Sequence, residues 1–80
     1  MDYDSNKVDE AVLALLFLTV HQHGEYGARS WKGHDWDALN RLHEKGFISD
    51  PVSKAKSVVL SPEGLAESRR LFETLFAKQE

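Results

Sequence analysis

Glycine at position 46 constrains this chain more than any other residue. It follows the run Asp35 to Lys45, in which Trp36, Leu39 and Leu42 recur at helical spacing. Asp35 is placed to cap that helix, because a carboxylate accepts hydrogen bonds from the free N–H groups of the first turn. Gly46 suits the left-handed position that closes a helix, where a Cβ would clash. Phe47 then falls where a Schellman ending turns the chain back, with Leu42 as its hydrophobic contact. Beyond the stop, Ile48 opens an extended run that Asp50-Pro51 turns, since proline disfavours helix in the preceding residue and presets the bend. Pro51 to Lys56 forms the loop tip. Ala55 to Leu60 returns as a second strand, with Val58 and Leu60 on one face and Ser57 and Val59 on the other. The expectation is a helix, a glycine stop and a two-stranded antiparallel hairpin.

The flanking segments read as helices of different character. Asp4 or Ser5 caps a first helix running from about Lys7 to His21. Val8, Ala11, Val12, Leu15, Leu16 and Thr19 lie near one of its faces, and Leu13, Phe17 and Val20 cover much of the other. So broad an apolar coat requires burial on most sides. A dimer partner or a tightly wrapped C-terminal helix would supply the second cover. That last helix starts at Ser61-Pro62-Glu63, where serine caps, proline loses nothing at the first turn and glutamate meets the positive end of the dipole. Leu65, Phe72, Leu75 and Phe76 form its stripe, with Leu71 at the edge. Glu67–Arg70 and Arg69–Glu73 pair along a wet face. Between the first two helices, HQHGEYGARSWKG is broken by Gly24, Gly27 and Gly33. There Tyr26, Arg29, Ser30 and Trp31 form either a short helical turn or a short strand.

Eighty residues make one domain, 1–80. A chain this short buries only about 60% of its unfolded surface, so its core is marginal without a supplement. With no cysteine, neither disulfides nor thiolate zinc sites supply one. A formal net charge of −3 argues against general affinity for nucleic acid, although a local patch can act on an acidic protein. The acidic start MDYDSNK is unlike a secretory leader, and the apolar run Ala11 to Val20 is far shorter than the roughly 20 residues of a membrane span. The expectation is a cytoplasmic protein with no membrane contact.

Catalytic signatures are missing from the sequence: there is no Gly-x-Ser-x-Gly, phosphate loop, cysteine nucleophile or His-Glu-x-x-His. Asp35 and Asp37 are accounted for as a cap and a first-turn acid. His21-x-His23 at a helix exit, with His34 later, fixes no third and fourth ligand. The reading is non-enzymatic, with no metal, no cofactor and no small-molecule substrate. Trp31 and Trp36 stand open between two roles, core anchors or a partly exposed pair at a binding surface.

Two kinds of partner suit what remains. Nucleic acid calls for readers on the helix before the hairpin, and Asn40, Arg41 and Lys45 are offered there, with Lys54 and Lys56 at the hairpin tip and Arg29 and Lys32 as further cations. Against that, Asp35 to Lys45 holds three acids and two bases. The alternative is a protein-interaction or homodimer module that uses Leu13, Phe17, Leu71 and Leu75.

The opening MDYD with Val8-Asp9-Glu10-Ala11, then Trp31-Lys32-Gly33-x-Asp35-Trp36-Asp37-Ala38-Leu39, Arg41-Leu42-His43-Glu44-Lys45-Gly46, Ile48-Ser49-Asp50-Pro51 and Lys54 to Leu60, resembles a small family of bacterial proteins known only as a domain of unknown function. The likeness spans nearly the whole chain and implies no activity. Leu42 to Gly64 also resembles the end of multiple-antibiotic-resistance-type and phenolic-acid-type regulators. In those, a leucine-rich helix, a Gly-hydrophobic-Ile stop, a wing and a Ser/Thr-x-x-Gly helix start follow in order. That resemblance implies an α+β, winged-helix-like fold, mostly helical, with a two-stranded wing before the C-terminal helix and a regulator-like role.

Overall fold

The computed structural model of the chain describes residues 1–24 and 27–78, without the side chain of His23. Helix α1 (Ser5–Leu18) starts where the Asp4 carboxylate accepts from the N–H groups of Asn6 and Lys7. It stops short of the expected His21, because the chain turns extended at β-branched Val20 and enters a strand. Strands β1 (Val20–Gly24) and β2 (Gly27–Trp31) form an antiparallel hairpin. Val20 faces Ser30 and Gln22 faces Arg29, so His21 is an extra residue bulged out of the ladder. Of the two conformations open to Arg29, Ser30 and Trp31, the strand is the one adopted; Tyr26 lies outside the described residues.

Helix α2 (Trp36–Glu44) has the ends its sequence calls for. The Asp35 carboxylate accepts from the Ala38 N–H at 3.1 Å. Gly46 has φ +80°, the Gly46 N–H donates to the His43 carbonyl at 2.9 Å, and the Phe47 N–H donates to the Leu42 carbonyl at 3.1 Å. Both hydrogen bonds of a Schellman ending are present.

The hairpin expected after that stop needs correction. Strand β3 (Ser57–Leu60) does show the expected faces, with Val58 and Leu60 buried. Its ladder partner, however, is β2: Ala28 lies opposite Leu60 and Trp31 opposite Ser57. Ile48 makes a single bridge to Leu60, flanked by Ser49 N–H to the Val59 carbonyl (2.8 Å) and Ser61 N–H to the Phe47 carbonyl (3.0 Å). The bridge at Ile48 does not lengthen into a hairpin because the Asp50 carboxylate accepts from the Val52 N–H and buried Pro51 has no N–H to give a ladder. The sheet is three-stranded and antiparallel, in the order β1-β2-β3.

Helix α3 (Pro62–Phe76) begins at Ser61, whose hydroxyl accepts from the Gly64 N–H at 3.0 Å and donates to the Gly46 carbonyl at 2.7 Å. Its buried line is Gly64, Ser68 and Leu71, rotated from the expected stripe, so Leu75 and Phe76 stay about half exposed at 49% and 48%. Small residues let α3 approach closely: a Cβ on Gly64 would stand 2.0 Å from the Phe47 carbonyl oxygen. Helices α1 and α3 pack on each other and on one face of the sheet, and α2 packs on α1. The result is a mostly helical α+β slab of 34 × 34 × 19 Å, two layers thick. Its core joins Leu13, Leu16, Leu39, Leu42, Val58 and Leu60. The wrapped C-terminal helix is thus the cover that α1 requires.

Candidate nucleic-acid interface

The cations expected on α2 are committed to an internal contact. Asp9 is 1% exposed, at a helical spacing that places it in line with Leu13 and Leu16 on the buried side of α1. Arg41 clasps it in bidentate fashion, Nε to Oδ2 at 2.8 Å and Nη2 to Oδ1 at 2.8 Å, and the Lys45 ammonium stands 3.6 Å from Oδ2. Donating hydrogen bonds to the Asp9 carboxylate raises the Arg41 pKa above its ordinary value. A buried carboxylate needs such partners, since taking its charge out of water unpaired is costly. Arg41 and Lys45 therefore tie α1 to α2, an internal role beside the one expected of them as contacts for phosphate or bases, while their side chains stay 32% and 45% exposed. Asn40 remains exposed. No hydrogen bond or salt bridge among the described residues joins this group to Lys54 and Lys56.

The sheet surface tells a different electrostatic story. Along β2, Ala28 and Ser30 are buried while Arg29 and Trp31 are exposed. The Ser30 hydroxyl donates to the Leu16 carbonyl at 2.7 Å, fixing the inner face against α1. On the outer face the Arg29 guanidinium donates to the Ser57 hydroxyl at 3.4 Å, and the His21 ring stacks on Trp31 with centroids 5.0 Å apart. Trp31 is 52% exposed, as is Trp36. The Lys32 ammonium lies 5.7 Å from the Trp36 ring centroid and donates to the carbonyls of Pro51 (2.7 Å) and Ser53 (2.8 Å). It thereby holds the loop of Lys54 and Lys56 beside the end of β2, where the Lys32 N–H also donates to the Lys56 carbonyl. Both tryptophans thus take the exposed role of the two that the sequence left open.

Charge is segregated between these parts. Residues 27–34 and 51–60 carry four cations, Arg29, Lys32, Lys54 and Lys56, and no Asp or Glu. The other described residues hold six Lys or Arg against eleven Asp or Glu. No carboxylate of the described residues forms a salt bridge with any of the four, whereas Arg41, Lys45, Arg69 and Arg70 each have one.

The candidate protein-contact residues divide. Leu13 and Leu71 are 1% and 4% exposed, interior positions where α3 crosses α1, which corrects their reading as contact residues. Phe17 is half-buried, its ring 5.6 Å from Phe72, which in turn lies 5.6 Å from Phe76. Phe17, Leu65, Arg69 and Glu73 line an open groove of about 620 Å³ along α3. Leu75 is half exposed. Among the described residues no three of His, Cys, Asp or Glu gather as a metal site, and the side chain of His23, the other half of the His-x-His pair, lies outside what is described. No helix of the described residues is long and apolar enough to cross a membrane.

Comparison with known proteins adds kinship without chemistry. The family described as Domain of unknown function (DUF6429) matches residues 4–78. An uncharacterized protein, y4hR, of Sinorhizobium fredii (strain NBRC 101917 / NGR234) is 51% identical over 78 residues, covering 98% of this chain and 100% of that protein. No solved structure matches the chain.

Proposed function

Because the chain belongs to the DUF6429 family, whose description assigns no activity, we propose a function from its geometry: a small non-catalytic module that binds nucleic acid. The contact surface is the outer face of the sheet with the 51–56 loop, in place of helix α2. The observation that carries this is the charge segregation: segments 27–34 and 51–60 hold four cations and no Asp or Glu, beside a half-exposed tryptophan on an otherwise acidic protein. Phosphate neutralisation drives such binding, and a local patch suffices for it. Asp4 and Asp35 cap helices and Asp9 pairs with Arg41, structural roles that account for these three carboxylates without catalysis.

Fluorescence anisotropy with labelled mixed-sequence DNA at about 50 mM salt tests it, because non-specific binders reach roughly 1–100 μM. The variant Lys54→Glu with Lys56→Glu weakens binding and flattens its salt dependence, while Asn40→Ala leaves both unchanged. No binding at 100 μM, about the upper limit of that range, removes the proposal.

A second reading, self-association, is favoured by the ring series Phe17–Phe72–Phe76 reaching the surface beside Leu75. Light scattering decides it: a monomeric mass at millimolar concentration excludes the homodimer.

A further inference from the structure

Resting on that reading, we infer that the ligand of the sheet face is a single strand, with Trp31 as the platform on which a base stacks. A duplex keeps its bases paired and offers a flat surface mainly its phosphates, so it has no use for an exposed indole between cations. An unpaired strand presents base faces together with phosphates, and binders of single strands pair aromatic platforms with a cationic track. The outer face has both parts. Trp31 is 52% exposed although it sits within a strand, opposite the small Ser57, so no bulky neighbour on β3 closes its flank. The His21 ring stacks against it at an interplanar angle of 26°, which helps set the orientation of the indole. Arg29, two residues along the same face, is on the same side of β2, and its only side-chain hydrogen bond among the described residues is the 3.4 Å contact with Ser57. The bulge at His21 turns that side chain onto the ladder's outer side, where it meets the indole.

The arrangement separates a single strand from an acidic peptide, which would use the cations and leave the indole idle. It also separates it from a duplex, which would do the same. Contribution from the ring is therefore the discriminating quantity.

The experiment uses the full chain carrying Trp36→Phe, so that Trp31 alone reports by fluorescence. Unlabelled oligo(dT), a duplex of the same length and poly-glutamate are titrated at low salt, each also followed by competition against a labelled single strand. The expected result is quenching of Trp31 emission by oligo(dT) and at least tenfold tighter binding of oligo(dT) than of duplex or poly-glutamate. Trp31→Ala then weakens oligo(dT) binding by roughly five- to a hundredfold, the worth of one stacked base, while Trp31→Tyr restores most of it. Circular dichroism verifies that each variant is folded, and the tyrosine variant keeps the test decisive if the alanine variant is not. Equal binding of single strand and duplex without quenching overturns the inference and leaves the nucleic-acid reading standing. Preference for poly-glutamate, or no binding of either nucleic acid, overturns both.

Discussion

Gly64→Ala is the substitution on which helix propensity and packing disagree in sign. In an isolated helix, alanine is better than glycine by about 1 kcal/mol. Here the added Cβ would stand 2.0 Å from the Phe47 carbonyl oxygen, 2.7 Å from its carbon and 2.9 Å from the Cα, all backbone atoms of the segment that closes α2. Relief requires the start of α3 to move away from Phe47. That movement stretches the Ser61 N–H bond to the Phe47 carbonyl (3.0 Å) and the Ser61 hydroxyl bond to the Gly46 carbonyl (2.7 Å). Overpacking costs about 1–3 kcal/mol and each weakened hydrogen bond about 1 kcal/mol, so the net loss is about 2–4 kcal/mol after the helix gain. For a domain of this size that corresponds to a fall in Tm of roughly 10–25 °C. Urea unfolding followed by far-ultraviolet circular dichroism measures it. Gly33→Ala is the control, since nothing lies within 4 Å of its Cβ position, and its effect stays within about 0.5 kcal/mol. A Gly64→Ala midpoint equal to or above that of the parent refutes the packing argument.

Gly46→Ala costs about 1–2 kcal/mol through its φ of +80° alone, with no steric neighbour involved, and the same urea curves read it. Arg41→Ala, which leaves the Asp9 carboxylate buried beside Lys45 only, lowers the midpoint more than the joint replacement Asp9→Leu with Arg41→Met, because an apolar pair replaces a buried ion pair with little loss; the reverse order contradicts the role given to Asp9. Burial lowers the His34 imidazole pKa below its ordinary 6.5, so on acidification the unfolded chain takes up this proton first. Stability is full above 6.5 and falls as pH drops through that value towards the folded one, and His34→Gln flattens this part of the pH profile of Tm.

Features set by near neighbours in the chain were legible before the structure. The Asp35 and Ser61 caps, the Gly46 ending and the alternation of Ser57 to Leu60 depend on a few consecutive residues, and each is found. Strand pairing was not legible in the same way. The sequence pairs Ala55 to Leu60 with the run opened by Ile48, whereas β2 takes most of that ladder through contacts distant in sequence. Asp9 was missed although its distance from Leu13 and Leu16 places it among apolar neighbours; a charge there signals an internal partner, and Arg41 is that partner. The pairing of Arg41 and Lys45 with Asp9 has no trace in their own helical segment, where both read as surface cations. On α3, Leu65 and Phe72 of the expected stripe pack against the core while Leu75 and Phe76 stay exposed, because Gly64 and Ser68 are what a close helix crossing selects. Lys54, Lys56, Arg29 and Lys32 were visible as charges, but their assembly beside Trp31 needed the fold.

Sheets with open margins tend to recruit further strands and grow into fibres. In this chain the β1 margin is interrupted by the His21 bulge, and the margin beyond β3 is occupied by the short Phe47–Ser49 stretch before Pro51 ends it. Polymerisation by strand addition is thereby discouraged at both borders. The side of the sheet that stays open is its broad outer face, with Arg29 and Trp31 on it.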